Sequence, residues 1–405
     1  MNTLIELTEH DTSEPITLNT VERDHIIATL PNATITPVPG TTDQYTINPR
    51  NYIGLINTGH HTIHIAPKIG ISRALFLITY ALNPNNWRDT YTPADDDLTL
   101  NEAIAIPFTH HTHNATRRHL LHGYQTIDDT LHGIKGRIRF NDQLRRHQRL
   151  TVPIEVSYDE HTPDITENRI LLAALHKLSR LQRLTPDLQH DIKRLTRNFT
   201  GVTPTTYNQQ HIPTPHINRL NQHYAPALAL AELILTNRTL ELAPGTNTNN
   251  SLLFDMATVF ETFVHTALRE ALHLTPHQFP RAGKQPLYLD TAHHIRLKPD
   301  ISWWQHSTCT LIGDIKYKKT ISGDGNNADL YQALAYANAT QLTNATLIYA
   351  SSENPTATHT TIDGTTIHIE ALNLNGTPHE ILDEIKQLAS RVTNRQASLP
   401  LQNTA

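Results

Sequence analysis

"HHIRLKPDISWWQHSTCTLIGDIKYKKT", residues 293–320, holds two runs of alternating apolar character joined by a polar turn at Gln305, His306 and Ser307. Alternation with period two predicts strands over 295–304 and 308–317. Asp300, Asp314 and Lys316 stand inside those runs, among Ile, Leu and Trp. Strand side chains alternate between faces, so Ile295, Leu297, Ile301 and Trp303 share one face of the first strand and Asp300 takes the other. In the second strand Cys309, Leu311, Gly313, Ile315 and Tyr317 share a face, and Ile312, Asp314 and Lys316 share its opposite. Asp314 and Lys316 then project together, about 7 Å apart along the strand. An antiparallel hairpin would bring Asp300 beside them. Two carboxylates so placed repel, and burial favours their neutral forms. A divalent cation removes that conflict. An oxygen-rich set of one or two carboxylates, completed by water and a substrate phosphate, suits Mg²⁺. Such an ion polarises a phosphodiester and acidifies bound water, and a nearby lysine stabilises developing negative charge or holds the attacking water.

The flanking segments extend this pattern. "LLFDMATVFETFVHTALREAL" predicts a long helix over 252–273 with Phe260, Val264 and Leu268 on its apolar face. Glu261 lies at the edge of that stripe, where an acid needs a partner. "ADLYQALAYANAT" predicts a second helix, on which Gln332 and Tyr336, four residues apart, share a face. Strands at "ATLIYAS" and "TTIHIEALNL" and a helix at "PHEILDEIKQLASRV" complete an α/β unit over 251–392. "NRQASLPLQNTA", residues 393–405 with their neighbours, reads as a frayed tail.

Upstream, residues 1–108 read as a β-rich domain. "YTIN", "YIGLI" and "TIHIAP" predict short strands, and "SRALFLITYALN" a helix. Residues 109–245 read as mainly helical. "ATRRHLLHGY" predicts a helix ending at Gly123, "GIKGRIRFNDQLRRH" a short basic strand and turn, and "TENRILLAALHKLSRLQRL" and "APALALAELILTNRTL" apolar helices. "APGTNTNNS", residues 243–251, is the best linker in the chain. The fold class that follows is α+β: a β-rich N-terminal domain, a helical middle region and a C-terminal α/β domain.

Composition narrows the class of function. The 405 residues carry 33 Lys and Arg against 38 Asp and Glu, a net charge of −5, so charge alone does not make this a DNA binder. The balance is uneven, however. Between Arg117 and Arg149 eight basic residues face three aspartates. Arg117, Arg118, Lys135, Arg137 and Arg139 belong to this stretch, which is either a solvated face or a surface for phosphate or a partner. "TGHHTIHIAP" and "FTHHTHNATRRH" resemble metal clusters, but histidine is abundant throughout (27 residues) and compositional bias accounts for them. No apolar run is long enough to span a membrane. A single cysteine, Cys309, and an acidic N-terminus without an export signal predict a reducing, cytoplasmic setting.

Pro299-Asp300, thirteen residues, then Asp314-Ile315-Lys316, with Glu261 before and Gln332 and Tyr336 after, resembles the PD-(D/E)xK nuclease superfamily. A second resemblance, over roughly 50–390, is to the McrC family. It rests on Gly123-Tyr124, the Gly136-Arg137-Ile138 turn, Tyr158-Asp159-Glu160 with Thr162, Asp164, and Asn168-Arg169. McrC-like proteins are the nuclease subunits of McrBC modification-dependent restriction systems. The resemblance implies a partner, a ring-forming McrB-like AAA+ GTPase that reads methylated cytosine. It also implies that the N-terminal part enters the ring and stimulates hydrolysis, while the C-terminal part cuts double-stranded DNA into 3′-hydroxyl and 5′-phosphate ends. The site then expected is Asp300, Asp314 and the Ile315 carbonyl on Mg²⁺, Lys316 on the water, Glu261 on a second metal or its water, and Gln332 and Tyr336 in support. The competing expectation is a non-catalytic activator that keeps the nuclease fold as a scaffold. Asp164 is expected to pair with Arg137 or Arg169, and Thr166 to cap a helix beginning near Glu167. No G-x-x-x-x-G-K-[ST] loop occurs, so this chain is not expected to hydrolyse nucleotide; "GDGNN" at 323–327 reads as a loop near the active site.

Overall fold

A computed structural model describes residues 3–82, 84, 98–147, 151–181, 183–208, 211–236, 252–318, 326–351 and 356–397. The linker at 243–251, most of the "GDGNN" loop, Arg149 and the end of the tail lie outside these residues. The chain forms two compact units, residues 1–103 with 240–405, and residues 104–239. The class is α+β.

The first unit begins with β1 Thr3–Thr8, β2 Ile16–Thr17, α1 Thr20–Thr29, β3 Thr34–Pro37, β4 Gln44–Asn48, β5 Tyr52–Asn57 and β6 His61–Ala66. Helix α1 starts at a capping box: Asn19 Oδ1 accepts from Glu22 N at 2.9 Å, and Glu22 Oε2 accepts from Asn19 N at 3.1 Å. Strands β2, β4 and β3 make one small sheet, and β1, β6 and β5 belong to another. Ile26, Leu30, Ile47, Ile56, Ile63 and Ile65 fill the space beside them. Helix α2 Ile71–Leu82 follows, and α3 Leu100–Thr116 runs across the division into the second unit.

The second unit contains β7 Gly123–Leu131, β8 Arg137–Ile138, α4 Phe140–His147, β9 Ile154–Thr162, α5 Thr166–Leu178, α6 Pro186–Arg197 and α7 Ala225–Thr236. Helices predominate, yet β7 pairs antiparallel with β9 along nine residues, and β8 pairs with the same β9. The helix expected to end at Gly123 instead stops at Thr116, and Gly123 opens a strand. The alternation of Tyr124, Thr126, Asp128 and Thr130 with half-buried neighbours is a period-two pattern that β9 satisfies from thirty residues away. Helix α5 packs on α6 and α7, with Leu171, Leu175, Ile192 and Ala231 among the buried side chains of the three.

The chain then returns to the first unit with β10 Leu253–Asp255, α8 Met256–Ala271, β11 Leu287–Tyr288, β12 Arg296–Leu297, β13 Ile301–Gln305, β14 Thr308–Lys316, α9 Asn327–Thr340, β15 Asn344–Ser351, β16 Ala357–Thr360, β17 Thr366–Asn373 and α10 Pro378–Ala397. Strand order is β13-β14-β15-β17-β16, with the inner three parallel and both edges antiparallel. Helix α9 covers one face, where Ala333, Tyr336 and Ala337 meet Ile312, Leu347 and Ile369. Helices α8 and α10 cover the other.

Two boundaries differ from the sequence reading. Residues 253–255, read as the start of a helix, are strand β10, which pairs with β5 and delivers Asp255 to cap α8 by accepting from Ala257 N at 3.0 Å. Helix α10 continues through Ala397, five residues into the expected tail, because Arg391 and Arg395 pair with the buried Glu370 of β17. The division at 108 also has a different counterpart. The N-terminal β part joins the C-terminal α/β part in one unit, through the β5–β10 pairing and the packing of α2 on α8.

Candidate active site

Strand β14 carries the centre of the site. Gly313 lets it lie tight on β15: a Cβ there would fall 2.2 Å from the Thr346 carbonyl oxygen. The antiparallel register sets Ile301 opposite Gly313, so Asp300, one residue before β13, stands across from Asp314. Asp300 Oδ2 accepts from the Ile315 N–H at 2.9 Å, which fixes its carboxyl on the strand. Asp314 is buried, and the Lys316 ammonium is paired with it. Lys316 Nζ also donates to Gln332 Oε1 at 3.0 Å. Gln332 Nε2 donates to the Tyr336 hydroxyl at 2.7 Å, and that hydroxyl donates to the Lys298 carbonyl at 3.2 Å. One connected set therefore joins β14, α9 and the segment leading into β13. Glu261 enters from α8, close enough to hydrogen-bond with Asp300.

The electrostatics follow from this crowding. Burial pushes the Asp300 carboxyl up to about 9, with the Asp314 and Glu261 charges adding to it and the Ile315 N–H opposing. Glu261 is also raised, first by burial and then by Asp314, against the pull of Lys316. Lys316 is depressed by burial, but the carboxylates of Asp314, Asp300 and Asp329 outweigh that and hold it above its ordinary value. Three acids and one ammonium thus lack enough positive charge among themselves.

Among the described residues no three His, Cys, Asp or Glu side chains form a ready-made metal cage. The donor set nevertheless fits a hard cation that keeps its own waters. Asp300 and Asp314 offer oxygens from adjacent strands, and Asp314 Oδ2, shielded from solvent, is met by the Lys316 ammonium. The Ile315 N–H is committed to Asp300, so from that residue only the carbonyl remains for a ligand role.

Every residue expected at the site from the sequence is therefore brought together: Glu261, Asp300, Asp314, Lys316, Gln332 and Tyr336. Two supporting acids were not foreseen. Asp329, in the first turn of α9, is paired with Lys318 at 2.7 Å and accepts from the Tyr349 hydroxyl at 2.7 Å. Glu9 is fully buried, and its Oε1 accepts from Lys68 N at 2.7 Å and from the Tyr317 hydroxyl at 2.8 Å. The acid in the first turn after the Asn326 cap was a readable signal for Asp329; Glu9 had none, since Tyr317 lies 308 residues away.

The basic stretch is less uniform than its composition. Arg117, Arg118 and Arg137 are exposed. Lys135 lies 3.6 Å from the centre of the Tyr158 ring. Arg139 is turned to Asp142 and lies 3.5 Å from Asp128. The other motif residues of the second unit do structural work. Arg169, rather than Arg137, holds Asp164, with Nε and Nη2 each at 2.7 Å. Asn168 Nδ2 donates to the Leu121 and Pro163 carbonyls at 2.8 and 2.7 Å. Helix α5 starts at Thr166 itself, with Ile165 in the cap position and no side-chain cap, so the capping role expected of Thr166 does not exist.

Comparison with known proteins converges on one system. The family described as McrBC 5-methylcytosine restriction system component matches residues 47–350. The Type IV methyl-directed restriction enzyme EcoKMcrBC of Escherichia coli (strain K12) is 22% identical over 237 residues, 55% of this chain and 67% of that protein. Among solved structures, a chain of the half-complex from a tetradecameric assembly of Thermococcus gammatolerans McrB AAA+ hexamers with bound McrC shares the fold. It has a TM-score of 0.58 and 16% identity, covering 96% of this chain and 100% of that one.

Proposed function

The chain belongs to the McrBC 5-methylcytosine restriction system component family, and from that premise we propose that it is the Mg²⁺-dependent DNA endonuclease subunit of such a system. The observation that carries the reading is the convergence of Asp300, Asp314 and Glu261 on one point beside Lys316, at a density of negative charge that the chain alone leaves uncompensated.

Asp300 and Asp314 would hold the ion with the Ile315 carbonyl, and Glu261 would hold a second ion or its water. When bound, Mg²⁺ supplies a Lewis acid on the phosphodiester and lowers the pKa of water. The protein supplies the rest. The Ile315 N–H fixes Asp300 in place. Gln332 keeps Lys316 extended over the site, where its ammonium stabilises charge developing on the phosphoryl oxygens or orients the attacking water. Tyr336 locks Gln332 by accepting its amide and anchors the pair to the Lys298 carbonyl.

The partner is a McrB-like AAA+ GTPase ring, which would read modified cytosine in double-stranded DNA and whose hydrolysis this chain would stimulate, with residues 1–108 as the contacting part. The system would act in the cytoplasm as a defence against phage DNA. Among the described residues no helix is long and apolar enough to cross a membrane.

The test is cleavage of methylated plasmid with Mg²⁺, partner and GTP. Asp314→Asn should lower the cleavage rate by about 10³-fold or more, the scale of losing a principal charge-stabilising group, while stimulation of GTP hydrolysis persists. Undiminished cleavage by Asp314→Asn would remove the site assignment. Absence of cleavage by the wild type, with hydrolysis still stimulated, would leave the activator reading.

A further inference from the structure

Where the sequence predicts one strand over 295–304, the structure has a separate hairpin, β11 with β12, pairing Leu287 with Leu297 and Tyr288 with Arg296. This hairpin runs directly into Asp300. Its base is tied to the candidate active site, since the Lys298 carbonyl accepts the Tyr336 hydroxyl.

Its tip is held rigidly. Asp290 Oδ1 accepts from Ile295 N at 2.7 Å and Oδ2 from His294 N at 3.1 Å, and Leu289 N donates to the Ile295 carbonyl at 2.9 Å. Tyr288 and His293 stack, with ring centres 4.5 Å apart. Arg296 Nη2 donates to the Gly283 carbonyl at 2.6 Å, closing the preceding loop onto the hairpin.

The charge of this element is opposite to that of the site it adjoins. Arg281, Lys284, Arg296 and Lys298 are all exposed, and none is in an ion pair among the described residues. The only acid, Asp290, spends its oxygens on backbone amides and on His294. In a chain with net charge −5, that is a concentrated basic edge beside three carboxylates. A polyanion approaching Glu261, Asp300 and Asp314 is repelled unless neighbouring cations compensate. Cations on and beside a braced hairpin suit phosphates flanking the scissile bond.

We infer that the β11–β12 hairpin and its base form a backbone-binding clamp for duplex DNA, contacting phosphates next to the cut through Arg281, Lys284 and Lys298, with Arg296 holding the shape. The inference rests on the nuclease reading above and names a substrate-binding element that reading did not contain.

The test is duplex binding by the full chain, in an Asp314→Asn background so that DNA stays intact, followed by fluorescence anisotropy from about 50 to 200 mM salt. Adding Arg281→Ala, Lys284→Ala and Lys298→Ala should weaken binding at least tenfold and reduce the log–log salt slope by about 2 to 3, given a slope of about 0.9 per phosphate contact. Lys284→Glu alone, a fully surface change, should weaken binding in the same direction and guards against misfolding of the triple variant. Plasmid cleavage by wild type with partner and GTP is run in parallel. Unchanged affinity and slope in both variants, with wild type cutting, overturns the clamp and leaves the nuclease standing. Unchanged DNA binding with lost stimulation of GTP hydrolysis also overturns it, since the hairpin would then face a protein. A wild type that neither binds nor cuts ends the nuclease reading and the clamp together.

Discussion

At the residue scale, Asp300 sits where its surroundings oppose its charge. Its carboxyl is buried against two others and raised to about 9. An amide of the same shape would still accept the Ile315 N–H and would relieve the repulsion. Asp300→Asn is therefore expected to raise the metal-free Tm, by the equivalent of about 1 kcal/mol, while abolishing plasmid cleavage. An unchanged or lower Tm would mean that the crowding carries no cost. Asp164 is the opposite case. Hydrogen bonds from Arg169, followed by those from Thr203 N at 2.9 Å and Thr203 Oγ1 at 2.6 Å, hold its carboxyl well below the usual carboxylate range. With the folded pKa depressed, its contribution is present above the unfolded value, near pH 4, and is lost as the pH falls through the folded one. Asp164→Asn should cost about 2 kcal/mol at pH 7, the scale of charge-assisted hydrogen bonds. The difference from wild type should shrink below about pH 4 in urea titrations. Asp300 and Asp314 were legible because a charge in a period-two apolar run stands out, and Glu261 because it edges a helical apolar stripe. Glu9 was not, because what marks it is burial against distant residues.

At the element scale, β10 decides how the C-terminal α/β part is held. It pairs with β5 at Leu253–Gly54, and Gly54 has φ +125°, where a Cβ would fall 2.1 Å from the Leu252 carbonyl oxygen. Gly54→Ala is expected to break this pairing at a cost of about 3 kcal/mol, combining backbone strain with a lost ladder, read as a lower urea midpoint. A midpoint within error of wild type would show that β10 contributes little. Nine elements were legible from local pattern: β4, β5, β6, α2, α5, α7, α9, β15 and β17 all fall where periodicity placed them. Strands β7, β10 and β11, read otherwise or not at all, depend on partners: β9, β5 and β12 supply their ladders, and local pattern does not name those partners.

At the scale of the molecule, the first unit is built from both ends of the chain. Phe76 and Tyr80 of α2 pack edge-on to Phe263 of α8 with ring centres 5.3 and 5.4 Å away, and Tyr317 reaches Glu9. Residues 252–397 alone would expose Phe263 and leave Tyr317 without its acceptor. That fragment is expected to aggregate or bind a hydrophobic dye without a cooperative melt, whereas joining residues 1–103 to it should restore one transition. A fragment that melts cooperatively by itself would show that the α/β part is an independent domain. The sequence by itself determined the α+β class, the helix and strand periods, and six side chains that the fold gathers in one place, because side-chain direction in a strand or helix follows from local geometry. Only the tertiary structure decided that the N-terminal strands and the C-terminal sheet share one unit, that Glu9 lies behind the site strand, and that a basic hairpin flanks the carboxylates. Those outcomes depend on which distant segments satisfy one another's hydrogen bonds and apolar faces, and that choice is made only when the whole chain packs.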